Sequence, residues 1–227
     1  VYKRQFQDRQ DITSVTIPAG VTKIGNRTFS GCTALAAVTI PAGVTEIGTD
    51  AFKGCTGLKR IVLPAGLQSI SVAAFRDCAA LEAVDIPDSV TELWGFAFMG
   101  CKNLARVTLP AGLDKIQNNL FTDCERLQSI VLPAGVKEIE DDAFQNCKSL
   151  AGIVWPQALQ TIGRGAFDGC ESLAAVILPD GVTAIGAFAF DGCTALKELR
   201  LSAALTVLDN GAFSGCTALA DVYIPDK

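Results

Sequence analysis

The chain of 227 residues contains no histidine. That absence removes the commonest general base and rules out Ser-His-Asp and Cys-His nucleophile arrangements. It also removes mixed Cys/His zinc sites, and no C-x-x-C pair is present to suggest an all-thiolate one. Tryptophan and tyrosine occur twice each and methionine once, so aromatics able to line a sugar-binding groove are scarce. Positive charge is also in short supply: 19 Lys and Arg stand against 24 Asp and Glu, with no basic stripe, so nucleic acid is not an expected partner. No apolar run approaches the length of a membrane span, and no signal peptide or cleavage site is visible. Glycines follow a regular beat explained by turns, with no phosphate-cradling loop among them. Enzymatic chemistry is therefore not expected, and no cofactor or metal is called for. The cluster Glu140, Asp141, Asp142 reads as a solvated turn, with a weak calcium site as the lesser alternative.

What is present is a period. Cysteines at 32, 55, 78, 101, 124, 147, 170, 193 and 216 are each 23 residues apart, with no insertion or deletion. Phenylalanine keeps the same beat three residues earlier, from Phe29 to Phe213, and leucine three residues later, from Leu35 to Leu219. Proline recurs from Pro18 to Pro225, with Ser202 alone missing the slot. Such a period is the mark of a solenoid, in which each repeat is one coil and neighbouring coils supply each other's core.

One unit reads Leu35-x-x-Val38-x-Ile40-Pro41-x-Gly43-Val44-x-x-Ile47-Gly48-x-x-Ala51-Phe52-x-Gly54-Cys55. Val38 and Ile40 alternate as a short strand with two inward side chains, leaving positions 37 and 39 facing out. Pro41 and Gly43 mark a turn, and Val44–Ile47 reads as a second extended piece. Ala51–Cys55 is too short for an ordinary α-helix and reads as a tight turn or 3₁₀ piece that drops Phe52 and Cys55 into the core. The expected fold is a solenoid of short parallel strands and turns, with little or no α-helix. It forms one domain over residues 1–227, with about nine repeats over 12–225. Residues 1–11 form a degenerate partial repeat, in which Val1, Phe6 and Ile12 align with the slots of Ile24, Phe29 and Leu35. Asp8 and Arg9 take the slots of Gly31 and Cys32. The nine thiols fall in one buried column and read as compact hydrophobes; disulfides are a lesser alternative, because stacked side chains point in parallel and the count is odd. The start at Val1 and the end at Lys227, just after a strand containing Tyr223 and Ile224, suggest an excised or processed fragment. The alternative is an apolar end able to self-associate end to end with another copy.

The unit Val44–Gly66, VTEIGTDAFKGCTGLKRIVLPAG, resembles the BspA-like subclass of leucine-rich repeats. The L-x-x-V/I-x-I/L-P strand, the V-T-x-I-G segment and the A-F-x-G-C-x-x-L turn carry the resemblance over essentially residues 12–225. It implies a right-handed, horseshoe-like solenoid with a parallel sheet. It also implies a bacterial cell-surface or secreted protein, engaged in adhesion to host extracellular proteins or other cells. Trp94 and Gln117 depart from the family's Gly48-type glycine, so the turn in those coils is expected to differ.

With the scaffold fixed, function is expected in outward columns that vary. On the main sheet, Val131, Val154 and Ile177 flank the small Gly152 and Ala175 on three successive coils, with Arg106 and Arg200 to either side. An apolar patch with a polar rim suits a protein partner, although β-branched residues also simply suit strands. The second candidate is the turn at Trp94, Phe96 and Met99, large apolar residues in slots that are polar or glycine elsewhere; Phe188 repeats the Phe96 substitution. It reads as a contact site or as a folded-back satellite cluster. Trp155 occupies the Ile40 core slot and is expected to distend the core locally. A structural spacer, an engineered near-consensus scaffold and a carbohydrate-binding surface remain as alternative functions. Only Tyr223 among the aromatics stands on the sheet face, which weighs against the last.

Overall fold

A computed structural model describes residues 4–223; Val1, Ile224, Pro225 and Lys227, which the repeat assigns to core, turn or terminal positions, lie outside it. Among the described residues there is no helix, only eighteen strands of two or three residues and the turns between them. Contacts divide the chain into two compact units, Val1–Gly112 and Leu113–Lys227.

Most coils contribute two strands for the reasons the sequence supplies, and the coil of Arg60 contributes only the second. Proline and glycine turn the chain, and the Val44 N–H closes the turn onto the Pro41 carbonyl (3.1 Å). Ser202 substitutes for proline by a different device: its hydroxyl accepts from the Ala204 N–H (3.1 Å) and donates to the Asp180 carbonyl (2.8 Å). In the first unit, Ser14–Thr16 pairs with Ala37–Thr39 and Ala83–Asp85 with Arg106–Thr108, while the coil between them is joined by a single Arg60–Ala83 bridge. In the second unit, Ser129–Val131 pairs with Gly152–Val154, and a separate ladder joins Ala175–Ile177, Glu198–Arg200 and Asp221–Tyr223. The two-residue strands form the more continuous sheets: four strands from Lys23–Ile24 to Glu92–Leu93, and five from Lys115–Ile116 to Val207–Leu208. Every pairing is parallel and in a 23-residue register, for example Ile47 with Ile24 and Ile162 with Ile139.

The Ala51–Cys55 stretch is a turn, with no 3₁₀ segment among the described residues, and it builds a third ladder that the repeat pattern does not announce. Phe29 N–H donates to the Ala51 carbonyl (2.8 Å) and Gly31 N–H to Lys53 (2.7 Å); the same pair recurs at Phe167 to Ala189 (2.7 Å) and Gly169 to Asp191 (2.8 Å). Two left-handed residues in each coil, such as Asp50 (φ 54°) and Gly54 (φ 71°), bracket these donors. The turn at Trp94 does not differ as expected. Its N–H donates to the Ile70 carbonyl (3.0 Å) as Gly48 N–H does to Ile24 (2.9 Å), and Phe96 keeps the left-handed φ of 63°. Gln117 likewise accepts from the Leu120 N–H (3.3 Å) and is followed by left-handed Asn119. The reason is that both turns are held by backbone bonds, which do not depend on the side chain. Ser71, Glu140 and Asp209 make the same Gly48-type backbone bond without glycine.

Inside each unit the phenylalanines form a column of near-parallel rings. Phe29, Phe52, Phe75 and Phe98 stack at centroid spacings of 5.3–5.4 Å, and Phe121, Phe144, Phe167 and Phe190 at 5.2–5.5 Å. Phe6 extends the first column from the partial repeat, 5.5 Å from Phe29. Full burial of one such ring contributes about 1.5–3 kcal/mol, so the column is a principal source of cohesion. All nine cysteines are free, and all but the half-buried Cys216 are buried. Each thiol does more than fill space: Cys55 Sγ donates to the Phe29 carbonyl of the preceding coil (3.1 Å), Cys78 to Phe52 (3.1 Å), and Cys170 to Phe144 (3.3 Å).

Candidate functional site

The strand pleat decides which side chains meet solvent. Ile130 and Val176 point inward and are buried, so their neighbours Val131 and Ile177 must point out. Val131 is 67% exposed, Val154 58% and Ile177 45%. Val131 lies directly opposite Val154 in register, and Ser129 opposite Gly152. Ile177 lies on the following coil, but its strand is hydrogen-bonded onward, placing Ile177 opposite Arg200. The strip is thus a paired Val131–Val154 unit followed by Ile177 across a break between two ladders.

Trp155 marks that break. Its indole takes the core slot and meets the Phe167 ring edge-on, with centroids 5.4 Å apart and an interplanar angle of 71°. Both Trp155 and the inward-facing Ile153 are half-buried, an exposure that Val38 and Ile40 share in a coil without an indole, so it is not a sign of the expected distension. The apolar surface there is consequently larger than the outward column alone. Its strands are also free of charge: residues 127–132, 150–155 and 173–178 include no Lys, Arg, Asp or Glu, and Asp180 is the first charge in the turn that follows. Sequence reasoning singled out three aliphatic side chains and missed this wider window, which was visible by aligning charges on the repeat. The next coil ends the window with Lys197, Glu198 and Arg200, and Arg200 reaches Asp180 at 3.7 Å.

Arg106 belongs to the first unit, where its guanidinium holds Asp85 (2.6 Å) beside a Thr108 hydroxyl (2.7 Å). These bonds from Arg106 and Thr108 keep the Asp85 carboxyl below the usual carboxylate range. Val62, 80% exposed, sits beside this pair in an open cleft with Arg60 and Glu82. That cleft is charged where the strip is not.

The second candidate patch is only partly outward. Trp94 is 45% exposed, with Val72 of the preceding coil also exposed, whereas Phe96 and Met99 are half-buried. Phe96 holds a left-handed backbone, a conformation that costs a bulky residue of order 1–3 kcal/mol. Phe188 shares it (φ 59°) and lays its ring over Gly211 of the next coil, so this aromatic covers a neighbouring turn. The acidic cluster is engaged in turn geometry: Glu140 accepts from Lys115 Nζ (2.6 Å) and the Asn118 N–H (3.0 Å), and Asp141 accepts from the Arg164 N–H (2.8 Å). Burial, with Asp141 alongside, raises the Asp142 carboxyl above its ordinary value. No group of three or more metal-ligating residues comes together among the described residues.

Parallel two- and three-residue strands in 23-residue register, around stacked leucine, phenylalanine and cysteine columns, define a leucine-rich-repeat β-solenoid of about nine turns. The chain belongs to the BspA type leucine-rich repeat family, whose model matches residues 1–128 and 137–227. It is similar to a leucine-rich repeat protein of Bacteroides ovatus, at 33% identity and a TM-score of 0.91, covering 99% of this chain and 58% of that one. A leucine-rich repeat protein of T. pallidum is also 33% identical, with a TM-score of 0.65 over 71% of this chain and 78% of its own. A leucine-rich repeat protein of Eubacterium ventriosum is 28% identical, with a TM-score of 0.53 over 78% of this chain and 42% of its own. No protein of curated function matches the chain significantly.

Proposed function

We propose that the chain is a non-enzymatic interaction module of a bacterial surface or secreted protein, binding a protein partner through the first sheet of its second unit. One observation carries this reading: three exposed aliphatic side chains, Val131, Val154 and Ile177, stand on three successive uncharged strands, whereas the uncharged strands of the first unit carry Thr16 and Thr39 in the same outward slot. Uncharged cores rimmed by polar groups are the pattern of protein contact patches, and β-branched preference alone is met as well by Thr16 and Thr39 as by the aliphatic side chains found here. The surface or secreted address, and a host extracellular protein as the partner, follow the expectation carried by the family.

The test is a triple variant, Val131→Asp, Val154→Asp and Ile177→Asp, assayed by surface plasmon resonance against a panel of extracellular host proteins. Outward positions tolerate charge, so the circular dichroism spectrum and thermal midpoint should stay within a few degrees of the parent. Binding to the responding partner should fall at least about tenfold, the loss of roughly 1.4 kcal/mol. Retained binding in a folded triple variant rejects the strip. A spacer without a ligand gives no response from the parent chain against any member of the panel.

A further inference from the structure

The left-handed turn positions carry a rule about which coil follows which. Seven side chains lean forward onto a glycine of the next coil, occupying the space a methyl group would need. In the column of Gly54 and Cys55's turn, Asp8 covers Gly31, Asp77 covers Gly100 and Asn146 covers Gly169. In the column of Asp50, Asp142 covers Gly165 and Phe188 covers Gly211. Outside the left-handed columns, and one residue short of the 23-residue slot, Asn26 covers Gly48 and Asp141 covers Gly163. In the Gly54 column the remaining side chain, Asp123, is followed by Asn146, whose Nδ2 donates to Asp123 Oδ1 (2.9 Å). The Asp50 column is mixed, for Asp50 is drawn back to Arg27 Nε (3.1 Å) and is followed by Ala73, neither glycine nor a bonding partner.

We infer that the pairs of the Gly54 column form a register lock, in which a side chain at this left-handed position of one coil selects glycine or a bonding partner at the same slot of the next. A solenoid of near-identical coils needs such a device, because a slip by one whole repeat keeps the phenylalanine, cysteine and leucine columns intact. The buried columns penalise that slip equally whichever coil is left out, whereas a mismatched turn pair distinguishes one coil from another. Asn146 is the clearest case. Its amide is held from behind by Asp123, so its oxygen cannot swing away, and a methyl group on Gly169 would fall 2.6 Å from it.

The next coil supplies an internal control. Gly192 has nearly the same backbone as Gly169, φ 65° against 70°, yet a methyl group there meets nothing nearer than 3.6 Å. Gly192→Ala therefore bears the left-handed strain alone, and Gly169→Ala bears strain plus collision. Thermal midpoints of the full chain are measured for both, for Asn146→Gly, and for Asn146→Gly with Gly169→Ala. Gly169→Ala should lower the midpoint several degrees further than Gly192→Ala. In the Asn146→Gly background the effect of Gly169→Ala should shrink to that of Gly192→Ala. Equal losses at the two glycines, or an undiminished loss in the Asn146→Gly background, overturn the lock. Should Gly169→Ala fail to fold, a folded double variant supports the inference and an unfolded one rejects it.

Discussion

A thiol occupies the inner corner of each coil because sulfur reaches a carbonyl one coil away while its body remains apolar. The Phe52 carbonyl, for example, accepts both the Cys55 N–H (3.1 Å) and the Cys78 thiol (3.1 Å). Cys78→Ala removes the second bond and leaves a small void, which should cost about 1–2 kcal/mol by urea denaturation. A loss near zero would mean that the sulfur serves as filler alone. Burial also sets reactivity: it pushes the Cys55 thiol from 9.0 up to about 12. Buried thiols should therefore resist alkylation at pH 8 in the native chain, with the half-buried Cys216 reacting first and the rest only after denaturation. The pH dependence has a definite sign. A folded value above the unfolded one gives a contribution fully present below pH 9 and lost as pH rises through about 12. The urea midpoint should thus hold level from pH 6 to 8 and fall at pH 10; a rise there would contradict the assignment. The burial of this column was legible in its 23-residue spacing and apolar company. The S–H donor was not, since hydrogen bonding to a carbonyl of the preceding coil is a matter of where the chain returns, and cysteine as plain filler satisfies the same pattern.

At the level of strands and turns, the alternation around Val38 and the Pro41–Gly43 turn were readable because period-2 burial and fixed φ act locally. The breaks in the first sheet were not, since nothing in the repeat pattern marks them: one follows Ala37–Thr39, where the core slots hold Ile40 and Leu63 as elsewhere. Another falls at Trp155, an indole in a leucine slot, with the ladders divided after Gly152–Val154. Trp155→Leu should let the two ladders join, and the backbone amides of residues 155, 175 and 177 should exchange with deuterium about tenfold more slowly, whereas that of Leu178, already bonded to the Arg200 carbonyl, should not change. Unchanged exchange would locate the cause of the break elsewhere. The third ladder was hidden for a related reason. Its turn places Arg27, Asp50, Ala73, Asn119 and Asp142 in left-handed backbone, positions where glycine is the usual signal and is missing. Ala73 illustrates the cost, being held at φ 56° without a polar group to bond locally. Ala73→Gly should raise stability by about 0.5–1 kcal/mol by relieving that strain, as read from the urea midpoint.

For the chain as a whole, stability in a repeat array is close to a sum of coil terms and nearest-neighbour interface terms. Removing one complete repeat should then be tolerated wherever the new neighbours match, whatever the number of buried groups lost. Deleting residues 171–193 joins Cys170 to Thr194 and leaves every buried column in phase. It sets Gly165 before Gly211 and Gly169 before Gly215, pairs without a forward-leaning side chain. Deleting residues 148–170 removes the same length and also keeps the columns in phase, but it sets Asp142 before Phe188 in place of Gly165. A Cβ in that slot meets the Asp142 carboxyl, and Asp142 is a left-handed residue with a part-buried side chain already raised in pKa by desolvation. The second deletion should therefore melt below the first, and Phe188→Gly should restore most of the difference. If core loss alone governs, the order should instead favour the deletion that removes the ill-fitting Trp155, and Phe188→Gly should bring no recovery. Thermal midpoints of three purified chains separate these outcomes, because each variant retains the same stacked phenylalanine column and differs in the pairing of its turns.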